Sequence, residues 1–326
     1  MRYYYLMNKN TDNMYTTFKK AIKEKPLKTD FPILDEMLNG FWSELYVFSS
    51  GSGMGKTSML SHLLWSMVEK NRNTEALFFS FDQPANDISI KIASQSTEIP
   101  FSYLKNLKKD NIRYERKLKR KLQKLKKLYQ KITILDTRNF RELDIETIED
   151  FVNKKREQNP GKKLVVAIDQ LYSISEDNLS IKLERLKKLS HRENCTILVS
   201  MSLPGEPEIR RPVRKDLVNH SIVISKAYAF ISLYTDFVLN FETPFLEWDW
   251  AYNNQMIPVS ELIIFKNKIE AFTGNLFYRF YSDISKFREC VKPEIENYRQ
   301  MVINLADYKK DKKMMIKKQE NPENQD

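Results

Sequence analysis

An α/β fold with a doubly wound, mostly parallel sheet and helices on both faces is what this sequence predicts. Three observations carry that expectation. A glycine-rich loop lies between an apolar run and a helical pattern. Several further short apolar runs end in a polar or acidic residue. These runs alternate with amphipathic stretches, which is the signature of parallel strands joined by crossover helices.

The loop comes first. Ser50-Gly51-Ser52-Gly53-Met54-Gly55-Lys56-Thr57 gathers three of the chain's seven glycines into five positions. Leu45–Ser49 precedes it as a strand-like apolar run, and Ser58–Val68 follows with helical spacing. Strand, glycine loop, Lys-Thr and helix in this order form a P-loop, so the fold is predicted to be that of a P-loop NTPase. Its glycines let backbone N–H groups turn inward on phosphate oxygens, and the helix start adds a positive end. The predicted nucleotide contacts are Ser50, Gly51, Ser52, Gly53, Met54, Gly55, Lys56, Thr57 and Ser58. Lys56 is expected on the β- and γ-phosphates of ATP, and the Thr57 hydroxyl on Mg²⁺. Ser50 stands where the motif usually begins with glycine.

The remaining elements follow in order. Residues 11–24 read as one short amphipathic helix within an N-terminal arm, 1–27, and Pro26 ends it. Ala76–Phe81 is a continuous apolar run, as expected of a strand covered on both faces, and Asp82 follows its end. Residues 105–131 are basic, with Leu118, Leu122, Leu125 and Leu128 at helical spacing. That outer face reads either as solvated or as facing nucleic acid. Ile132–Asp136 is the next strand, and 145–157 the next helix. Leu164–Asp169 is a hydrophobic strand ending in a carboxylate, the Walker B form, which makes Asp169 the second candidate for the Mg²⁺ shell. A helix at 179–192 leads to strand Thr196–Ser200. A polar, basic loop spans Pro204–Arg214. Strand-like runs at 227–233, 261–265 and 276–281 follow, the last two joined by a hairpin through Thr273-Gly274. The ATPase domain is expected over 28–285, a C-terminal helix over 286–308 and a charged, disordered tail over 309–326.

Composition sets the outer bounds. A formal net charge of +11 suggests an acidic partner such as nucleic acid, although Lys-rich usage also follows from an AT-rich genome. Two cysteines and three histidines without metal spacing argue for a reduced, cytoplasmic chain without a zinc site. No stretch of about 18 apolar residues exists, so no membrane span or membrane partner is expected.

Six stretches then occur in order: Leu34–Met37, Ser52–Thr57, Phe79–Gln83, Ile168–Leu171, Arg211–Leu217, and Glu261–Lys268 followed by Thr273-Gly274. Together they resemble the C-terminal motor domain of DnaB-family replicative helicases, over roughly 28–285 and without that family's N-terminal helical domain. The resemblance implies a RecA-like core working as a homo-hexameric ring, with ATP between subunits and single-stranded DNA in the channel. Carried over by position, Asp82 matches the catalytic glutamate that polarises water. Ser200 and Ser202 bracket the sensor position, where Met201 replaces a glutamine. Lys266 and Lys268 match a Lys-x-Arg pair that reaches the neighbour's ATP. The segments around Arg210–Arg214 and Val218–Ile224 match the channel loops, giving Arg210, Arg211, Arg214, Lys215 and His220 as DNA contacts.

The altered residues bear on rate. Asp82 is one methylene short of glutamate, and Lys268 offers a point charge in place of a planar fork. Three readings follow: an ATP-driven DNA helicase or translocase acting in replication; a slow ATPase that binds ATP and nucleic acid as a loader or adaptor, with replication or mobile-element partners; and a recombinase- or KaiC-like ATPase.

Overall fold

The computed structural model describes residues 24–106, 112–138, 143–175, 178–203, 211–235, 258–269 and 273–300, with the backbone alone at 250–251 and 255–256. The expected 11–24 helix, Arg210, the Trp248 and Trp250 side chains and the 309–326 tail lie outside the described residues.

The chain opens with α1 (Pro32–Met37), β1 (Leu45–Ser50), α2 (Lys56–Lys70) and β2 (Thr74–Ser80). Then come α3 (Ala85–Thr97), α4 (Phe101–Asn106), α5 (Ile112–Tyr129) and β3 (Ile132–Asp136). Next are α6 (Ile145–Gln158), β4 (Lys163–Asp169), α7 (Leu179–Arg192) and β5 (Cys195–Ser202). A 3-10 turn at Arg214–His220 runs into α8 (Ser221–Lys226) and β6 (Ala229–Thr235). The two-residue strands β7 (Trp250–Ala251) and β8 (Gln255–Met256) pair with each other. Strands β9 (Val259–Asn267), β10 (Gly274–Tyr281) and β11 (Lys286–Glu289) close the sheet, and α9 begins at 292.

Among the described residues the main sheet has nine strands in the order β11-β10-β9-β6-β1-β5-β4-β2-β3. From β6 to β3 every pairing is parallel, and β9 to β11 add an antiparallel wing. Strand β1 lies between β5 and β6, both distant in sequence, so its C-terminal end opens into a crevice where such sheets bind ligands.

Side chains alternate across the sheet with a period of two. Tyr46, Phe48, Phe78 and Leu198 meet Leu60, Leu63 and Leu64 of α2 on one face. Leu45, Val47, Leu77 and Ile168 meet Ile148 of α6 and Leu183 and Leu186 of α7 on the other. Because both faces are covered, the strands read as continuous apolar runs. Helix ends are held locally. Asp144 accepts from Thr147 N at 2.7 Å to start α6, and Asn178 accepts from Ser180 N and Ile181 N to start α7.

Among the described residues the expected strands and the helices expected at 58–68, 145–157 and 179–192 are present, with two differences. The sheet does not stop at 285: β11 pairs with β10 over Lys286–Glu289 before the last helix starts. Helices α1, α3 and α4 were not expected. In α3 the inward positions include Ser94 and Gln95, buried because they hydrogen-bond to Ile99 O and to Ser58 O and Ser285 O. That polar interior hides the helical stripe. Phe41 is buried in the core, while Trp42 is only partly covered.

Candidate nucleotide site

The loop turns on two left-handed glycines, Gly53 (φ 74°) and Gly55 (φ 90°). A side chain is strained at either, and a Cβ on Gly55 would lie 3.3 Å from the Phe287 ring. The loop therefore rests on β11. Met54, expected among the nucleotide contacts, turns its side chain down into a small cluster with Tyr234 and Ile263. It anchors the loop and leaves only its backbone for a ligand. Helix α2 starts at Lys56 with Gly55 as its N-cap and no side chain capping it. Its first N–H groups are thus left for an anion.

Lys56 lies over the loop, its ammonium donating to Gly51 O at 2.9 Å and Ser50 Oγ at 3.1 Å. Burial lowers its pKa, opposed by the charges of Asp169 and Asp82. Thr57 Oγ1 donates to Asp169 Oδ2 at 2.6 Å. Ser200 on neighbouring β5 donates to the other carboxylate oxygen. A buried carboxylate and a threonine hydroxyl side by side form an oxygen donor set that suits Mg²⁺, which binds through one or two protein oxygens plus phosphates and water. The residues therefore fit Mg²⁺-ATP: a glycine cradle, an open helix end, one lysine and two hard oxygen ligands. Asp82 is exposed just beyond β2, on the same side.

The sheet register moves one expected role. Met201 is fully buried on the α6–α7 face, away from the loop. Ser202, opposite Ser50, is the strand-end residue on the loop side. It is linked to Gln170, whose Nε2 donates to Ser202 Oγ at 3.0 Å. Gln170 was not expected from the sequence, and neither was Lys91 of α3. Lys91 donates to Gln83 Oε1 at 3.2 Å, next to Asp82. Burial lowers its pKa, and Asp169 and Asp87 oppose the shift.

Three further expected residues are engaged within the chain. The Lys266 ammonium donates to Ile224 O, Ser225 O and Ala227 O, so its three N–H bonds close the end of α8. Lys268 is the exposed member of that pair, 5.8 Å over the Tyr228 ring. Arg211 is bound to Glu261 through Nε at 2.9 Å and Nη2 at 2.8 Å. Glu261 is buried and also accepts from Tyr298 OH and Asn275 Nδ2, so it requires that cation. His220 is buried beside Tyr172 OH, and burial lowers its pKa, which disfavours a charged contact to DNA. Arg214 and Lys215 remain exposed at the start of the 3-10 turn.

The sequence profile of the family described as "DnaB-like helicase C terminal domain" matches residues 26–289. No curated protein matches the chain. Among solved structures, the "ATPase Domain of G40P" superposes with a TM-score of 0.69 at 17% identity, covering 87% of this chain and 99% of that one. "The Structure Of A DnaB-Like Replicative Helicase And Its Interactions With Primase" gives a TM-score of 0.69 at 18% identity, covering 87% of this chain and 67% of that one. At these identities the likeness is one of fold. Among the described residues no helix is long and apolar enough to cross a membrane.

Proposed function

The chain belongs to the DnaB-like helicase C-terminal domain family, and on that premise we propose that it is an ATP-driven motor of the replicative-helicase type, working as a homo-hexamer on single-stranded DNA. The single observation that carries this reading is the pairing of Thr57 with the buried Asp169 beside a glycine loop whose helix end is uncapped.

When bound, Mg²⁺-ATP supplies the phosphoanhydride bond whose hydrolysis drives movement. Thr57 and Asp169 would hold the metal side of the site. The loop N–H groups and Lys56 neutralise phosphate charge, with Lys56 leaving the carbonyls it occupies here. Asp82 orients and deprotonates water, and Lys91 with Gln83 fixes the approach to it. Ser202 and Gln170 stand where nucleotide state is passed to the segment after β5. Lys268 is the cation left to reach a neighbouring subunit, and Arg214 and Lys215 are the exposed cations available to the DNA backbone. A cytoplasmic place in replication follows from the same family premise.

A second reading, an ATP-binding adaptor with slow turnover, is favoured by one observation. Lys266 is committed to α8, which leaves a single lysine for charge stabilisation across a subunit boundary.

ATP hydrolysis with and without single-stranded DNA, run beside Lys56→Ala, tests the proposal. Turnover that DNA stimulates and the variant loses supports the motor. Tight ATP binding with negligible turnover in both conditions overturns it in favour of the adaptor.

A further inference from the structure

Helix α5 carries more charge of one sign than a solvated face needs. Nine of its 18 residues are Arg or Lys, and Glu115 alone is acidic. Its inner side is accounted for. Leu125 and Leu128 are buried, Lys117 donates to Glu98 O, and Lys121 donates to Ser96 O and Thr97 O. On its outer side Lys119 pairs with Glu115 and Lys124 with Glu69. Arg116, Arg120 and Lys127 have no acidic partner among the described residues, and all three are exposed. At 100° per residue they fall within about 40° of one another, and they span about 16 Å of helix. Arg116 and Arg120 are like charges one turn apart, as are Arg120 and Lys124. That arrangement repels, whereas surfaces that serve solubility alone mix signs.

The surroundings select the partner. A concavity of about 760 Å³ opens along one flank of α5, where Arg113, Arg116 and Arg120 of the outer side meet Tyr114 and the inner Lys117 and Lys121. Tyr114 stands 5.0 Å from Tyr103 at 59°, an aromatic pair beside the arginines. Arginine forks suit phosphate oxygens better than lysine ammonium groups do. The leucines that could enter a membrane are turned inward, leaving Ile112 and Leu122 as isolated apolar exposures.

We infer that the outer face of α5 is a second, sequence-independent binding surface for the nucleic-acid backbone, separate from the nucleotide loop and from Arg214 and Lys215. The inference does not depend on an active motor. A strand held there lies along the helix, its phosphates on Arg116, Arg120 and Lys127.

The test is a salt titration of the full chain with a fluorescent oligo(dT), with Arg116→Gln/Arg120→Gln/Lys127→Gln beside wild type. Both are placed also in an Arg214→Gln/Lys215→Gln background. Removing like-charge neighbours relieves repulsion in α5, and circular dichroism and thermal melts verify that the variants fold. Three lost phosphate contacts lower the slope of log K against log salt by about 2 and weaken binding about tenfold or more at low salt. The drop persists in the background variant. An unchanged slope overturns the inference. So does an equal drop in the charge-matched control Lys154→Gln/Lys188→Gln/Lys292→Gln. A loss seen only with phosphatidylserine vesicles or polyglutamate, and not with oligo(dT), also overturns it.

Discussion

Thr57 and Asp169 are separated by 112 positions, yet the Thr57 hydroxyl donates directly to the Asp169 carboxylate at 2.6 Å. One comes from the first turn of α2 and the other from the end of β4. The parallel sheet brings them together because β4 lies two strands from β1, with Ser200 of β5 between them as a second donor. Asp169→Asn keeps the shape and one acceptor oxygen, makes the other hydroxyl accept from its amide N–H, and removes the charge. It is expected to fold with near wild-type stability and to lose turnover on the order of 10²–10³-fold. Thermal melts and steady-state hydrolysis measured side by side check this. Equal loss of both quantities would make Asp169 a fold residue only.

The loop glycines separate by conformation. Gly55→Ala forces a Cβ into the left-handed region and against Phe287, so it should cost about 1–2 kcal/mol. Gly51 has no positive φ, and the nearest atom to an added Cβ is the flexible end of Met54 at 3.5 Å. Gly51→Ala should leave stability within about 0.5 kcal/mol. Urea unfolding of the two variants gives the comparison. Equal destabilisation would contradict the described loop.

The register of β5 is open to the same kind of test. Met201→Gln buries an amide among Leu183, Leu186 and Val223 and should cost about 1–3 kcal/mol. Ser202→Gln sits at the partly exposed strand end and should be tolerated. If Met201→Gln were the benign change, the strand would be facing the other way.

Arg211 is expected to affect stability and not DNA. Arg211→Ala leaves the buried Glu261 carboxylate short of its cation and should destabilise by about 1–3 kcal/mol. The salt dependence of DNA binding should not move. A reduced salt slope at unchanged stability would return Arg211 to the DNA-binding set.

His62 gives a pH dependence. It is fully buried, accepts from Phe287 N at Nδ1 and therefore donates to Asp30 from Nε2, the neutral tautomer. Burial, the largest cause, lowers its pKa, and Asp30 opposes the shift. Unfolded, the ring takes a proton near pH 6.5; folded, it takes one only at lower pH. The stabilisation is thus complete above 6.5 and is lost as pH falls from there towards the folded value. Urea melts from pH 7.5 to 5 should show this decline, and His62→Phe should reduce it. An unchanged slope in the variant would assign the decline to other groups.

The sequence told most where structure is local. The glycine loop, the Walker B strand and the alternation of strands and helices are patterns within a few residues, and burial on both faces makes them plain. The contacts of Arg211, Lys266 and His220 were not legible because their partners lie 50, 42 and 48 positions away. A basic residue in a polar stretch looks the same whether it meets phosphate, a buried glutamate or a helix end. Gln170 and Lys91 were missed for the converse reason: only the sheet register brings Gln170 to Ser202, and only the turn after β2 brings Gln83 to Lys91. Whether Met201 or Ser202 faces the loop is a one-residue question of register, which spacing alone does not settle.

The glycine loop rests on Phe287, and α2 is tied to the same residue through His62. The loop is encoded at residue 50 and its floor near residue 287. A ribosome therefore releases the nucleotide-binding motif long before the strand that supports it. A nascent chain carries the complete motif without a finished binding site while more than two hundred further residues are made, and the site is completed only as β11 joins the sheet.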